Sequence, residues 1–496
     1  MLRELRGCRI KKLLAGLSRV VRHGSTINPT SWLRRSTPMA IATVNPATGE
    51  TIKEFTPDDS AVVEQKLAEA QAAFQALKKT TFAQRAEWMR AAADLLDADA
   101  EELGRIITIE MGKPIAQSVA EVHKSAKGAR YYAENAARFL ADEPLDDPSL
   151  VNASQAYARY QPLGVILAVM PWNYPLWQVL RFAAPALMAG NTGVLKHASN
   201  VPQSALYLDT LFERAGFPTG AFHTLLIGSG AVDAVIRDPR IKAVTLTGSE
   251  PAGRSVASIA AREIKKSVLE LGGSDPFIVL PSADLEKAAT TGVAARTINN
   301  GQSCIAGKRF IVHQDVYDEF AGLFAAKIKA LTVGDPLDAS VQVGPIATAG
   351  GLNDLQELVD DAVAKGAQVL AGGHALDRPG YFFEPTILAG LTDDMRLVME
   401  EAFGPVASLY PAKDDDDAIR IANQTTFGLS SSVWTSDPAE EAYFVENLDA
   451  GAVFVNGMTV SYPELPFGGI KASGFGRELA AAGIKEFVNL KTVWRG

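Results

Sequence analysis

The sequence predicts an α/β protein built on buried parallel sheets. From Val165 to Ala261, short apolar runs alternate strictly with helical runs. Continuous apolar strands separated by helices mark a parallel sheet covered on both faces. A second alternating stretch follows Glu270. The chain has 496 residues, too many for one simple core, so two or three substructures are expected. A hydrophobic content of 47% beside 21% charged residues fits a soluble globular protein.

Met1–Pro38 stands apart. It carries nine Arg or Lys and one acid, Glu4. Leu2, Leu5, Leu13, Leu14, Leu17, Val20 and Val21 could share one face of a basic helix, so the segment resembles a mitochondrial transit peptide. The simpler reading is a disordered basic tail, or a start placed before Met39, contributing nothing to the fold. Helical periodicity then runs from Ser60 to Leu140, in one run from Ser60 and another from Phe82 to Gly112, with Ala, Leu, Glu and Lys dominating. Asp142–Asn152 is a polar break with two prolines, and Ala156–Gln161 reads as a short strand. The alternation that follows predicts strands at Val165–Met170, Thr192–Lys196, Phe222–Ile227 and Ala243–Thr247. Helices are expected at Pro175–Ala189, Pro202–Ala215, Ala231–Arg237 and Pro251–Ala261. The second stretch predicts strands Pro276–Leu280 and Arg309–His313, with helices Leu285–Ile298 and Val316–Leu331. Asp414–Asp417 reads as a helix start and solvated face rather than a metal site. Asn489–Trp494 closes the chain as a strand.

Bulk properties exclude several functions. A net charge of −9 argues against nucleic acid as the main partner. No run approaches the length of a membrane span. Two cysteines, Cys8 and Cys304, make no disulfide framework and suit a reducing compartment. The six histidines lack metal-ligand spacing, so no metal is expected.

Five segments could carry chemistry. Cys304 follows a helix stop at Asn300-Gly301 and lies in a loop with glycine on both sides, where a sulfur can meet a ligand. Alone it reads more readily as a small buried apolar residue, as most free cysteines are. Glu270 ends an apolar strand, where partial desolvation would raise its pKa toward that of a useful base; an ordinary loop acid is the commoner case. Pro171-Trp172-Asn173-Tyr174-Pro175 sits between strand and helix, so Asn173 is an oxyanion donor or part of a proline-held turn. Gly248-Ser249 opens a helix with Pro251 in its first turn, a geometry that suits phosphate but is shared by plain turns. Lys196 ends another strand at the same sheet edge and could reach a sugar, a phosphate or only solvent.

Together these segments resemble the aldehyde dehydrogenase superfamily, from about Val44 to the C-terminus and in order. Glu270-Leu271-Gly272-Gly273 and Gly301-Gln302-Ser303-Cys304 carry the resemblance. Within the superfamily, Asn299–Ala306 and Leu195–Asn200 are similar to the NADP-dependent succinate-semialdehyde dehydrogenases. The resemblance implies an aldehyde dehydrogenase-like fold, two parallel-sheet Rossmann-type domains plus a small β oligomerisation arm. The implied boundaries are 1–38 for the extension, 40–143 and 163–270 for the NADP-binding domain, 144–162 and 488–496 for the arm, and 271–487 for the catalytic domain. It implies Cys304 as nucleophile, Glu270 as base and Asn173 as oxyanion donor, with Glu478 as a less secure second carboxylate. Trp172, Asn173, Lys196, His197, Ala198, Ser199, Gly248, Ser249, Leu271, Glu401 and Phe403 would surround the cofactor. NAD-preferring members commonly carry Glu where this chain has Ser199, which implies NADP, with NAD weaker. Arg181 and Ser461 would receive the succinate carboxylate, with Trp177 as a wall of the substrate pocket.

Two departures stand out. Ile298 replaces an arginine found in some relatives, which leaves room for a broader or glutarate-semialdehyde-type specificity. No second cysteine neighbours Cys304, so a disulfide switch within this loop is not available. The implied partners are a small aldehyde and further copies of the chain, as a homodimer or homotetramer, with no nucleic acid or membrane. The implied location is cytoplasmic, or the mitochondrial matrix if the extension is a transit peptide.

Overall fold

The computed structural model describes residues 40–496. The transit-peptide reading of Met1–Pro38, and Cys8, lie outside the described residues. Two large sheets dominate the rest. The first has six strands in the spatial order Gly474–Phe475, Lys266–Glu270, Ile241–Thr247, Val165–Val169, Thr192–Lys196 and Phe222–Thr224. All pair in parallel except the two-residue edge strand Gly474–Phe475. The second has seven, in the order Gln368–Ala371, Thr386–Ala389, Val406–Ala412, Gly307–His313, Asp275–Val279, Ser431–Trp434 and Val453–Val455. Only Gln368–Ala371 runs antiparallel there. The central strands are buried along their length, as expected for sheets with helices on both faces.

The helices follow local chemistry. Asp59 accepts from the N–H groups of Ala61 and Val62, both at 2.9 Å, and starts Ser60–Leu77. The single run expected from Phe82 is instead two helices, Phe82–Ala98 and Ala100–Met111. Asp99 is the joint. Its carboxylate takes Tyr207 Oη at 2.8 Å and Arg214 Nη2 at 2.9 Å, tying the break to helix Pro202–Arg214 rather than capping its own helix. Ile115–Phe139 completes the helical layer and packs on Trp177–Ala189. Asp414 accepts from Asp417 N–H at 2.9 Å and begins Asp415–Asn423, as its acidic run predicts.

A third sheet joins Val488–Arg495 to Gln155–Pro162 over eight antiparallel pairs, with Glu143–Pro144 beyond. The strand expected at Phe222–Ile227 is shorter, ending at Thr224. Helices Ala349–Ala364 and Pro438–Asn447, and strands Thr386–Ala389 and Ser431–Trp434, were not distinguished in the sequence. Among the described residues no helix is long and apolar enough to cross a membrane.

Candidate active site

Strand order locates the site. In the six-stranded sheet, Val165–Val169 is the earliest in sequence of the parallel strands, and Ile241–Thr247 and Thr192–Lys196 flank it. The direction of winding therefore reverses between Val165–Val169 and Ile241–Thr247. Open α/β sheets bind ligands at such a crevice, beyond the carboxyl ends of the strands. Trp172 and Asn173 follow one of these strands, and Gly248 and Ser249 the other. Glu270 ends the next strand, level with Thr247.

Four residues carry the chain from Glu270 into Asp275–Val279, so the carboxyl end of one sheet meets the amino end of the other. Gly272 and Gly273 make this passage. A β-carbon at Gly273 would lie 2.7 Å from the Cys304 carbonyl oxygen, and one at Gly272 would lie 2.5 Å from Glu401. Only glycine allows the two segments to pass so closely.

Cys304 enters from the second sheet, between helix Leu285–Thr297 and strand Gly307–His313. The helix stop is longer than expected: Asn299, Asn300 and Gly301 are all left-handed, with φ of 55°, 57° and 75°. Buried polar bonds hold this turn. Asn299 Nδ2 donates to the carbonyls of Asn173 (2.8 Å) and Gln302 (2.9 Å). Asn300 Nδ2 donates to Gly112 O and Pro345 O, and its Oδ1 accepts from Gly344 N–H. Lys308 Nζ donates to Ser303 O and Cys304 O, both at 2.8 Å, and pairs with Glu401 at 3.0 Å. Charged donors contribute roughly 1.5–3 kcal/mol per bond, which favours one conformation of the cysteine loop over its alternatives.

Two cavities open onto Cys304. One, of about 280 Å³, is lined by Trp172, Asn173, Thr247, Gly248, Ser249, Leu271, Glu401 and Phe403. Trp172 and Phe403 meet edge to face in its wall at 5.7 Å. The other, of about 250 Å³, lies among Lys124, Tyr174, Trp177, Arg181, Ile298, Ser461 and Phe467. Cys304 thus stands where a ligand in each cavity could meet.

Asn173 is buried beside it, and its Nδ2 donates to Gln302 O at 3.0 Å, leaving a second N–H uncommitted. Both Glu270 carboxylate oxygens are buried without a hydrogen-bond partner among the described residues. Burial, reinforced by the neighbouring Glu478, pushes Glu270 well above the usual carboxylate range. Burial also pushes the Cys304 thiol up to about 12, against the opposing pull of Arg181 and Lys308. The resting sulfur is therefore a neutral thiol that needs a base to become a nucleophile.

The remaining expected residues divide. Trp177 Nε1 donates to Ser461 Oγ at 2.8 Å, and both border the second cavity. Arg181 borders it too, but its guanidinium forms a buried ion pair with Glu478 and lies over Phe467, 4.6 Å from the ring centre. Lys196, His197, Ala198 and Ser199 follow the adjacent strand, outside the lining of the cavity at Trp172. His197 is turned inward, Nε2 lying 2.9 Å from Pro175 O, and burial drives it down to about 4. Its imidazole props the Pro171–Pro175 turn, while Ala198 and Ser199 border a small separate hollow. Sequence reasoning missed Lys308, Asn299 and Lys124. Lys308 had one visible signal, a lysine beside Arg309 at the start of a strand that continues as Phe310-Ile311-Val312.

Residues 32–493 match the aldehyde dehydrogenase family. The succinate-semialdehyde dehydrogenase [NADP(+)] 1 of Mycobacterium ulcerans is 62% identical over 459 residues, 92% of this chain and 100% of that protein. A succinate-semialdehyde dehydrogenase [NADP(+)] of Mycobacterium avium is 61% identical over 92% of this chain and 97% of its own length. The crystal structure of succinic semialdehyde dehydrogenase from Streptococcus pyogenes in complex with NADP+ superposes with a TM-score of 0.89. It is 37% identical, covering 91% of this chain and 99% of that one. Near-complete coverage in each comparison, on a fold whose two sheets meet at Cys304, means that the chain belongs to the aldehyde dehydrogenase family.

Proposed function

We propose that the protein oxidises succinate semialdehyde to succinate with NADP+. The observation that carries this reading is Cys304 at the junction of two cavities, one suited to a dinucleotide and one bearing cationic and hydroxyl groups. Relatives at 61–62% identity over nearly their whole length bear the names of this activity.

The first cavity fits the cofactor. Trp172, Leu271 and Phe403 offer flat apolar walls, and Ser249 heads the helix Glu250–Arg262, whose first N–H groups suit a phosphate. Gly248 leaves the approach open, its nearest neighbour being a Leu246 side-chain carbon at 3.7 Å from a β-carbon position. Glu401 is the candidate ribose ligand. Bound there, NADP+ supplies the hydride acceptor.

The protein's own groups do the rest. Cys304 Sγ, once deprotonated, adds to the aldehyde carbon. The oxygen that gains charge is held by the free Asn173 N–H and the Cys304 backbone N–H; one such donor is worth about 3 kcal/mol of barrier. After oxidation Cys304 carries the acyl group as a thioester. Glu270, in its carboxylate form, takes a proton from the water that cleaves it; burial, by raising its pKa, makes that carboxylate a stronger base. That base also argues against transfer of the acyl group to coenzyme A. Trp177, Ser461 and Arg181 form the far end of the substrate cavity, with Arg181 sharing its charge with Glu478.

Steady-state kinetics on an aldehyde panel with both cofactors tests the reading. Succinate semialdehyde with NADP+ should give the highest kcat/KM; preference for glutarate semialdehyde, an uncharged aldehyde or NAD+ would refute the corresponding part. Ser199→Glu should lower kcat/KM for NADP+ by about a hundredfold or more. A carboxylate about 4 Å from the extra phosphate repels it by roughly 4 kcal/mol at an effective dielectric of about 20.

The reading includes a homo-oligomer. The three-stranded arm exposes Leu490 and Trp494, an edge that suits pairing with another copy. Light scattering should give twice or four times the chain mass; a monomer at micromolar concentration would remove this element. The proposed domain division has 40–143 and 163–270 binding the cofactor, 271–487 carrying Cys304, and 144–162 with 488–496 forming the arm; the edge strand Gly474–Phe475 crosses from the 271–487 segment to the first sheet. A cytoplasmic location suits a thiol that must stay reduced.

A further inference from the structure

The charges lining the substrate cavity do not cancel. Lys113, Glu121, Lys124 and Arg181 border it. Lys113 forms a buried ion pair with Glu121 Oε2, and Glu121 Oε1 accepts from the N–H groups of Leu176 (2.9 Å) and Trp177 (3.0 Å). Arg181 is paired with Glu478. Both carboxylates are therefore committed. Among the described residues Lys124 is in no ion pair and leaves one uncompensated positive charge on the wall.

Lys124 is half-buried. Its ammonium donates to Ser461 Oγ at 2.9 Å and lies 4.6 Å from the centre of the Trp177 ring. An ammonium carries three donors, so two remain free of that bond. Ser461 Oγ accepts from both Lys124 Nζ and Trp177 Nε1. With both acceptor positions used, its own proton must point elsewhere. Lys124 and Ser461 together present donors, charge and no acceptor, which is what a carboxylate requires.

We propose that Lys124, acting with the Ser461 hydroxyl, is the specificity-determining anchor for the carboxylate of the aldehyde substrate. The inference rests on the reading of the enzyme as a dehydrogenase of carboxylated aldehydes and adds a residue to it. Arg181, neutralised by Glu478, lends the cavity less net charge than its position suggests. Ile298, also in the lining, contributes none.

The test compares wild type, Lys124→Met and Lys124→Arg on succinate semialdehyde and butanal. In Lys124→Met, KM for succinate semialdehyde should rise tenfold to a hundredfold, and the ratio of kcat/KM between the two aldehydes should fall by the same factor. Lys124→Arg should restore much of that ratio. A pH profile supplies a second readout. Burial, then Arg181 and Lys113, lower the Lys124 pKa to about 8, while Glu121 and Cys304 oppose them. The charged form is lost as pH rises through that value, so the wild-type KM for succinate semialdehyde should climb above about pH 8. Butanal should lack this limb, and so should Lys124→Met, which keeps Arg181, Lys113, Glu121 and Cys304 in place.

A ratio within twofold of wild type in Lys124→Met overturns the anchor while leaving the substrate reading intact. An equal loss on both aldehydes overturns it in favour of a structural role. If wild type shows no preference for succinate semialdehyde, the reading beneath the inference fails instead. Should Lys124→Met not fold, Lys124→Gln and the wild-type pH limb decide.

Discussion

Cys304→Ala is expected to remove NADP+-dependent aldehyde oxidation, with a loss on the order of 10⁴-fold or more. Geometry singles out this residue before chemistry does. Cys304 is the one residue bordering both cavities that bears a nucleophile, and alanine deletes only the sulfur from a turn held by Lys308, Asn299 and Asn300. Loop and cavities should therefore survive, and thermal unfolding should stay close to wild type. Loss of turnover with an unchanged melt assigns the effect to chemistry; retention of more than about one hundredth of wild-type turnover would sink the covalent mechanism. The raised thiol pKa adds a direction. At neutral pH the free protein holds a neutral thiol, so alkylation of Cys304 by iodoacetamide should be slow and should accelerate as pH rises toward about 12. A rate already maximal at neutral pH would mean that some group activates the sulfur before substrate arrives.

Glu270→Gln should separate the two halves of the reaction. NADPH should appear in one rapid burst, stoichiometric with Cys304, while steady-state turnover falls by about 10²–10⁴-fold. Mass spectrometry of the stalled protein should find a succinyl group on Cys304. No burst, or an unaltered steady state, would assign the base elsewhere. Stability should move the other way. Glu270 is buried with both oxygens unpartnered, and its folded pKa is raised above its unfolded value. For an acid so shifted, the neutral form is favoured in the fold. Its contribution to stability is complete below the unfolded pKa and is lost as pH rises through the folded one. The uncharged glutamine escapes that loss, so the variant should melt higher than wild type by a margin that widens with pH. Here a residue needed for turnover weakens the fold that holds it.

Much of this molecule was legible because its strands are short, apolar and separated by helices with ordinary starts. Val165–Val169, Thr192–Lys196, Ile241–Thr247 and Asp275–Val279 fall within a residue or two of where periodicity puts them. The helix stop at Asn300-Gly301 also announces itself, since left-handed backbone selects for glycine and asparagine, whereas the extension of the turn to Asn299 and the close passage at Gly272-Gly273 emerge only in the fold. The break at Asp99 was hidden, because the groups that pull its carboxylate away, Tyr207 and Arg214, lie about a hundred residues further on.

The same division runs through the site. From the one-dimensional chain come the strand alternation, the motifs around Glu270 and Cys304, and the family to which they belong. Only the folded molecule decided how charge is paired: that Arg181 answers to Glu478, that His197 props a turn, and that among the described residues Lys124 has no opposing carboxylate. The physical reason is range. Propensity and periodicity act over a few neighbours along the chain, whereas the balance of a buried cavity is set by groups that meet through space, as Lys124 and Ser461 do across 337 positions.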